Sequence, residues 1–584
     1  MQNPSLSTLA ERSNFRQTGR LDEVEALCGE FAGTWPEAVR TFEYGRSSEG
    51  RSMRALLVSR SGALTAAELR ARKIPLLMIQ GGIHPGESDG KDAGFIALRE
   101  LLEGPNSTLH NIALLFVPAF NADGHERVGR WGRPNQNGPE ETGWRTTAQN
   151  LNLNRDYMKA DTPEMRAMLH LIDEWDPLIC ADLHVTDGAD FEPDVSIQAE
   201  PVNQGDVNLR VNGRELRDAL IARLAEEGSV PLDFYPDLSV TDDPSSGFAL
   251  TVYSPRFSTG YFPQRNRFTL LVETHSWKDY ATRVSIMRNT ILGLTELVDR
   301  HGARWLESAQ QADAVAATLS GSEVALDYAT EWREPAQAGG ATVARNDTGA
   351  RLIDFRGYAY TRRPSAISGD LVTVYDSKTP QIWRVPLRDA VTPSLLVTVP
   401  QGFYVVPVSF APDIADRLDA HGIDFEWLAA ARTAVPAEVF RAGHVTFSTA
   451  PFEGRMRAIV QGAWTPESVN LLAGGLVVPV AQRLARLVLA LFEPQAPDSF
   501  AAWGFFNASF EQKEHMEPYV AEQIAQSMLD QDASLAEEFK RALSEDAAFA
   551  ASPSRRLEFF LRRHVSWDTR YNVYPVLRVA SLAQ

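Results

Sequence analysis

Short, uninterrupted apolar runs alternate with amphipathic stretches over the first half of the chain. MRALLVSR (53–60), IPLLMIQ (74–80), NIALLFVPAFN (111–121), PLICADLHV (177–185) and RFTLLVETH (267–275) are apolar almost throughout. That pattern predicts strands buried on both faces. Residues 20–37, 88–103, 162–176, 207–228 and 282–302 carry apolar positions at helical spacing. Strands of the first kind separated by helices of the second predict an α/β fold, a mixed, largely parallel sheet covered by helices. In such sheets ligands gather at the loops beyond the carboxyl ends of the strands.

The pattern changes after residue 315. From GSEVALDYAT (321–330) to VTVPQGFYVVPV (397–408) the chain is rich in Val, Thr, Tyr and Phe, with Gly, Pro and Asp between the runs. Short strands are expected there, in a small sandwich-like unit. From about Gly474 helical spacing returns, in VPVAQRLARLVLALFE, EHMEPYVAEQIAQSMLDQ, SLAEEFKRALSED and SRRLEFFLRRHV. The expected organisation is therefore residues 1–315 as an α/β domain, 316–473 as a β-rich accessory domain, and 474–584 as a mainly helical region. Arginines interrupt LLAGGLVVPVAQRLARLVLALF (471–492), so it reads as buried strand and helix rather than a membrane anchor. AWGFFNASFEQKEHMEPY (502–519) sets aromatics beside acids and is expected to border a cleft.

A chain of 584 residues suits two or three domains. Its net charge of -19 repels phosphate backbones and anionic lipid, which sets nucleic acid and membrane surfaces aside as partners. Two cysteines, Cys28 and Cys180, exclude a disulfide scaffold and a cysteine-rich zinc finger. The N-terminal residues carry no basic segment followed by an apolar one. The expected compartment is cytoplasmic as the chain stands, and periplasmic or secreted if a signal has been removed.

Three of the predicted strands end on groups that bind metal or move protons. The first runs into GGIHPGESDG (81–90), with His84 and Glu87 in a tight turn before a helix. The strand PLICADLH ends at His184 and RFTLLVETH reaches Glu273. Imidazole nitrogen and carboxylate oxygen are the usual non-thiol zinc ligands. Two histidines and one carboxylate leave a fourth position open, the catalytic type of site, and a further carboxylate nearby can take a proton from water. Before His184 comes a long polar loop, residues 121–157, with Arg145, Asn154 and Arg155. An arginine fork with an amide neighbour suits a bidentate grip on a carboxylate. Between the His184 and Glu273 strand ends only a helix is expected.

HPGE (84–87), NADG (121–124), GWRTTAQNLNLNR (143–155), DLH (182–184) and VETHS (272–276), in that order, resemble the zinc carboxypeptidases of the carboxypeptidase A type, peptidase family M14. FEYGRSSEGRSMRALLVS (42–59) is similar to that family's first strands, and the resemblance covers roughly residues 5–300. It implies a zinc metallocarboxypeptidase that hydrolyses the C-terminal amide bond of peptides through a zinc-bound water activated by a glutamate. It implies one zinc ion (Zn2+) per chain on His84, Glu87 and His184. Glu273 matches the general base and acid. Arg145 matches the arginine that holds the oxyanion, with Arg133 as a second candidate. Asn154 and Arg155 match the pair that binds the free C-terminal carboxylate of a peptide substrate. The family's mobile tyrosine corresponds to Tyr253 or Tyr261.

Two positions depart from the family pattern. Asn152 stands where an aspartate commonly supports the first zinc histidine, and a neutral amide oxygen raises ligand basicity less than a carboxylate. The segment after Glu273, THSWKDYATR, also differs. Both point to a divergent, bacterial-type branch. Two other readings compete with the first: a zinc-dependent deacylase of small N-acyl amino acids, as in the aspartoacylase-like branch, and a catalytically inactive scaffold.

Overall fold

The computed structural model describes residues 6–104, 108–330 and 350–582. Eight strands form the first sheet: β1 Val39–Arg46, β2 Ser52–Val58, β3 Leu76–Gln80, β4 Ala113–Val117, β5 Ile179–Val185, β6 Val195–Glu200, β7 Pro231–Leu232 and β8 Phe268–Thr274. Their order across the sheet is β1-β2-β4-β3-β5-β8-β6-β7. The central run β4-β3-β5-β8 is parallel, β1 and β2 meet their neighbours antiparallel, and β6 runs antiparallel to β8 and parallel to β7. The sheet is mixed with a parallel centre, and the strands that carry the candidate groups are adjacent within it.

β6 corrects the expectation that only a helix separates His184 from Glu273. VSIQAE alternates apolar and polar residues, yet all six are buried. The polar ones lie beneath neighbouring chain; Ser196 Oγ, for example, donates to the Phe234 carbonyl at 2.7 Å. A loop and a short helix, α5 Ser258–Gln264, also lie between the two strand ends.

Successive residues of a strand face opposite sides of the sheet. Leu77 and Ile79 enter one core with the helices α1 Leu21–Thr34, α2 Asp89–Glu103, α4 Val207–Glu226 and α6 Tyr280–Ala316. Leu76 and Met78 enter the other, under α3 Pro163–Trp175. That second core does not stop at residue 315. It continues through Val406, Leu418, Val478, Leu487, Phe506 and Val576. The C-terminal half thus covers the second face of the catalytic sheet, and apolar burial joins the two halves.

Strand pairing in the C-terminal half is antiparallel throughout a six-stranded sheet. Its order is Glu426–Trp427, Leu476–Pro479, Phe403–Val406, Val573–Val579, Arg432–Phe447, Ala458–Leu471. The expected division at 473/474 falls inside this sheet, with strands drawn from both sides of it. Leu476–Pro479 is a strand rather than the start of a helix, and the helix begins at Ala485. In AWGFFNASF the aromatics Trp503, Phe506 and Phe510 are buried in the core, and the exposed positions of the stretch lie mostly in EQKEHMEPY, which follows. Among the described residues no helix is long and apolar enough to cross a membrane.

Candidate active site

β3 ends at Gln80, and the chain must turn before α2 begins at Asp89. The Glu87 N–H donates to the His84 carbonyl at 2.9 Å, which closes the turn and sets both side chains on one side of it. Gly86 is required there. A Cβ on it would lie 2.2 Å from Arg133 Cγ, so only glycine lets that arginine cross the turn. The parallel neighbours β5 and β8 pair His184 with Glu273 in register, so both side chains leave the sheet on the same face.

The three expected ligands converge. His84 Nδ1 lies 2.9 Å from Glu87 Oε1, and His184 Nδ1 lies 2.8 Å from Glu87 Oε2. Their candidate ligand atoms all fall within 4.8 Å of one another, and all three residues are buried. The far nitrogen of each ring is held from behind. His84 Nε2 meets Asn152 Oδ1 at 3.1 Å, and His184 Nε2 lies 3.1 Å from Asp182 Oδ2. That pattern turns both Nδ1 atoms inward as lone-pair donors. His84 Nδ1 is buried without a hydrogen bond of good geometry. A divalent cation would satisfy it, and the His2Glu set with an open face fits zinc.

Asp182 is a member of this site that the sequence reading passed over. Its carboxylate accepts from Gln80 Nε2 at 2.8 Å and Ser258 Oγ at 2.6 Å, and Tyr157 in turn donates to Gln80 Oε1 at 2.9 Å. The signal was present. Asp182 and His184 are two apart on one strand and so share a face.

Electrostatics follow from burial and charge. Burial pushes the His84 imidazole down to about 4, against the pull of Glu87. Burial also disfavours a charged His184, but Asp182 and Glu87 more than offset it and hold its pKa well above the usual imidazole value. Glu87 is held well below the carboxylate range: Arg133, His84 and His184 outweigh its burial. Glu273 goes the other way. Burial lifts it well above the carboxylate range and Glu87 adds to this, while His184 and Arg133 pull it back. Two carboxylates whose environments drive their pKa values apart are suited to different roles.

Both candidate arginines reach Glu87 Oε1, Arg133 at 3.1 Å and Arg145 at 3.5 Å. Arg133 is also tied to the Val185 carbonyl and to Asp187, whereas the side chain of Arg145 is 35% exposed at the rim. Asn154 and Arg155 lie on a single helical turn, Leu153–Arg155, started by the Asn152 side chain, which accepts from the Asn154 N–H. The Arg155 guanidinium sits 4.2 Å above the Phe257 ring. Burial, and then the neighbouring charges of Arg145 and Arg256, depress it to about 10.

The two tyrosines separate cleanly. Tyr261 is fully buried and its hydroxyl donates to His421 Nδ1 at 2.9 Å. Tyr253 is only partly buried and lies in the fields of both Glu273 and Arg155, and desolvation with the Glu273 charge raises its phenol pKa.

Part of the chain is similar to known zinc carboxypeptidases. Residues 24–207 match the zinc carboxypeptidase family, peptidase family M14. Glu273 lies beyond that segment. Carboxypeptidase 2 of Trichophyton rubrum is 24% identical over 486 residues, which span 79% of this chain and 79% of that protein. Carboxypeptidase 2 of Trichophyton equinum is 23% identical over 80% of each chain. Among solved structures, carboxypeptidase A of Helicoverpa armigera aligns with a TM-score of 0.36 at 19% identity, over 51% of this chain and 75% of that one. The metallo-carboxypeptidase of Burkholderia cenocepacia aligns at 0.34 and 17%, over 47% and 69%. With the family segment and the ordered motifs in hand, the chain carries a zinc carboxypeptidase domain of the peptidase family M14 type over residues 24–207, in a divergent hydrolase with an extended C-terminal region.

Proposed function

We propose that this protein is a metallocarboxypeptidase that removes the C-terminal residue of peptides bearing a free carboxylate. The observation that carries the reading is the charge around Arg155. Its guanidinium is largely buried beside Arg145 and Arg256, and among the described residues no carboxylate lies within ion-pair distance of it. Arg145 and Arg256 face Glu87 and Asp498, but a largely buried guanidinium with no carboxylate partner of its own is costly unless an anion binds it. A peptide's terminal carboxylate is such an anion, and it fits an arginine fork.

His84, Glu87 and His184 would hold one zinc ion, which supplies a Lewis acid that polarises the scissile carbonyl and acidifies water. The chain's own residues do the rest. Glu273, held high by burial, accepts the proton of the attacking water and returns it to the leaving amine. Arg145 donates to the oxygen that gains negative charge as the carbonyl carbon becomes tetrahedral. Arg133, already bound to Val185 and Asp187, keeps Glu87 ionised and in place. Asn154 and Arg155 hold the terminal carboxylate, which restricts cleavage to chain ends. Tyr253, partly buried in the fields of Glu273 and Arg155, is the candidate for the side chain that closes over the substrate.

The test is elemental analysis of the purified chain followed by assay of three substrates: a tripeptide, its C-terminal amide and an N-acyl amino acid. About one zinc per chain with cleavage of the free tripeptide alone is expected. Cleavage only of the N-acyl amino acid would establish the deacylase reading instead. Zinc with no cleavage of any of the three would leave the scaffold reading.

A further inference from the structure

A turn in the C-terminal half reaches the candidate active site. The strands Arg432–Phe447 and Ala458–Leu471 are joined by a connection in which Phe452 and Arg455 exchange both main-chain hydrogen bonds, at 2.9 and 3.1 Å. The two residues between them have positive φ, Glu453 at 50° and Gly454 at 77°. That is the geometry of a two-residue turn whose first position favours Asn, Asp or Gly. Glutamate has no side-chain device to ease the left-handed conformation, so its presence runs against local preference.

The neighbours of Glu453 fix the turn firmly. Phe452 stacks on the buried Trp503, with ring centroids 6.0 Å apart. Arg455 makes two bonds of 2.6 Å to Asp161 in the catalytic half. A Cβ on Gly454 would be 3.4 Å from Leu151 Cδ2, so the turn lies against the loop that carries Arg145 and Arg155. Held in this way, Glu453 Oε2 accepts the Asn152 N–H at 2.8 Å, across 301 residues of sequence.

Asn152 is a hub. Its side-chain oxygen meets His84 Nε2 and accepts the Asn154 N–H that starts the turn bearing Arg155. Its own N–H has Glu453 as acceptor. The Glu453 charge also acts on Arg155 and opposes part of the repulsion from Arg145 and Arg256.

We propose that Glu453 is a positioning residue for the substrate-carboxylate site. Its carboxylate holds the Asn152 main chain, and through it the Asn154–Arg155 pair, in the conformation that receives a terminal carboxylate. The inference rests on the carboxypeptidase reading above. It makes the C-terminal half part of the site's architecture and not merely a cover for the sheet. It also explains why a glutamate occupies a turn position suited to asparagine.

The experiment uses the full-length, zinc-loaded chain and the variants Glu453→Ala, Glu453→Asn and Glu453→Gln. KM and kcat are measured on a tripeptide and on its amide. Binding of the same tripeptide is measured by calorimetry in a Glu273→Gln background, and each variant's melting temperature and zinc content are recorded. Glu453→Ala and Glu453→Asn should raise KM and Kd for the free tripeptide about tenfold, the loss of one hydrogen bond to a charged acceptor. The change in kcat should be about twofold or less. Glu453→Asn should melt at or above the parent temperature, because asparagine suits the turn but its shorter side chain does not reach Asn152. Glu453→Gln, whose amide oxygen can still accept the N–H, should restore binding. Parent-like binding by Glu453→Asn would overturn the proposal. So would equal losses in Glu453→Gln and Glu453→Ala, or equal losses on the amide. A parent chain that neither binds nor cleaves the tripeptide would sink the carboxypeptidase reading and this one with it. A parent that does both, beside an unaffected Glu453→Asn, would sink this one alone.

Discussion

Asp182 and His184, two residues apart on one buried strand, point the same way, and Asp182 Oδ2 stands 3.1 Å behind His184 Nε2. A carboxylate in that place fixes the ring's orientation and makes its other nitrogen a better donor to a metal. Asp182→Asn keeps the shape and removes the charge. It should weaken zinc affinity about 10- to 100-fold, as loss of such a partner typically does. Competition with a chelator of known affinity measures this directly. Unchanged zinc affinity in the folded variant would show that Asp182 serves the Gln80–Ser258 network alone.

Glu273 should separate chemistry from metal binding. It is paired in register with His184 but is not one of the three converging ligands. Glu273→Gln should keep about one zinc per chain and lower kcat by about 1,000-fold or more, within the range that loss of a general base produces. Elemental analysis beside single-turnover assays reads both quantities. Loss of zinc with the activity would make Glu273 a fourth ligand.

Arg155→Ala should discriminate between substrates rather than slow all of them. The charge-assisted bonds assigned to this guanidinium form only with a free terminal carboxylate. kcat/KM for the tripeptide should fall about 100-fold, and for its amide by little. Equal losses on both would place Arg155 outside the carboxylate site.

Much of this site was legible in the chain because its chemistry lies at the ends of apolar strands. His84 with Glu87, His184 and Glu273 each follow or close a buried run, and strand ends converge in a parallel sheet. What escaped was set by neighbours and not by the local pattern. β6 looks half-exposed in sequence because Ser196 and Gln198 alternate with Val195 and Ile197, yet the fold buries both faces. Glu453 is invisible as a partner of Asn152, since 301 residues separate them and its turn favours another residue. Tyr253 and Tyr261 differ only in their surroundings: His421, from the C-terminal half, removes Tyr261 from consideration.

His421 carries a further consequence for stability. It is fully buried, accepts from the Tyr261 hydroxyl through Nδ1 at 2.9 Å, and faces the Met158 carbonyl through Nε2 at 3.2 Å. Those two bonds fix it as the neutral, Nε2-protonated tautomer. Burial pushes its pKa down to about 3, and the charges of Arg265 and Arg417 oppose its protonation further. In the unfolded chain it titrates near 6.5. Between those values the unfolded state binds the extra proton, so stability falls as pH drops from about 6.5 towards 3. The loss amounts to roughly 2 kcal/mol at pH 5. His421→Gln removes the titration and leaves an amide able to bond to the same two groups. Urea unfolding at pH 7 and pH 5 should show the parent losing roughly 2 kcal/mol more than the variant between the two conditions. Because His421 joins Met158 and Tyr261 of the catalytic half to a helix of the C-terminal half, the acid transition should loosen the contact between the halves first. The same pH dependence in parent and variant would mean that other buried groups set the acid limit and that His421 is already protonated or solvated in the native state.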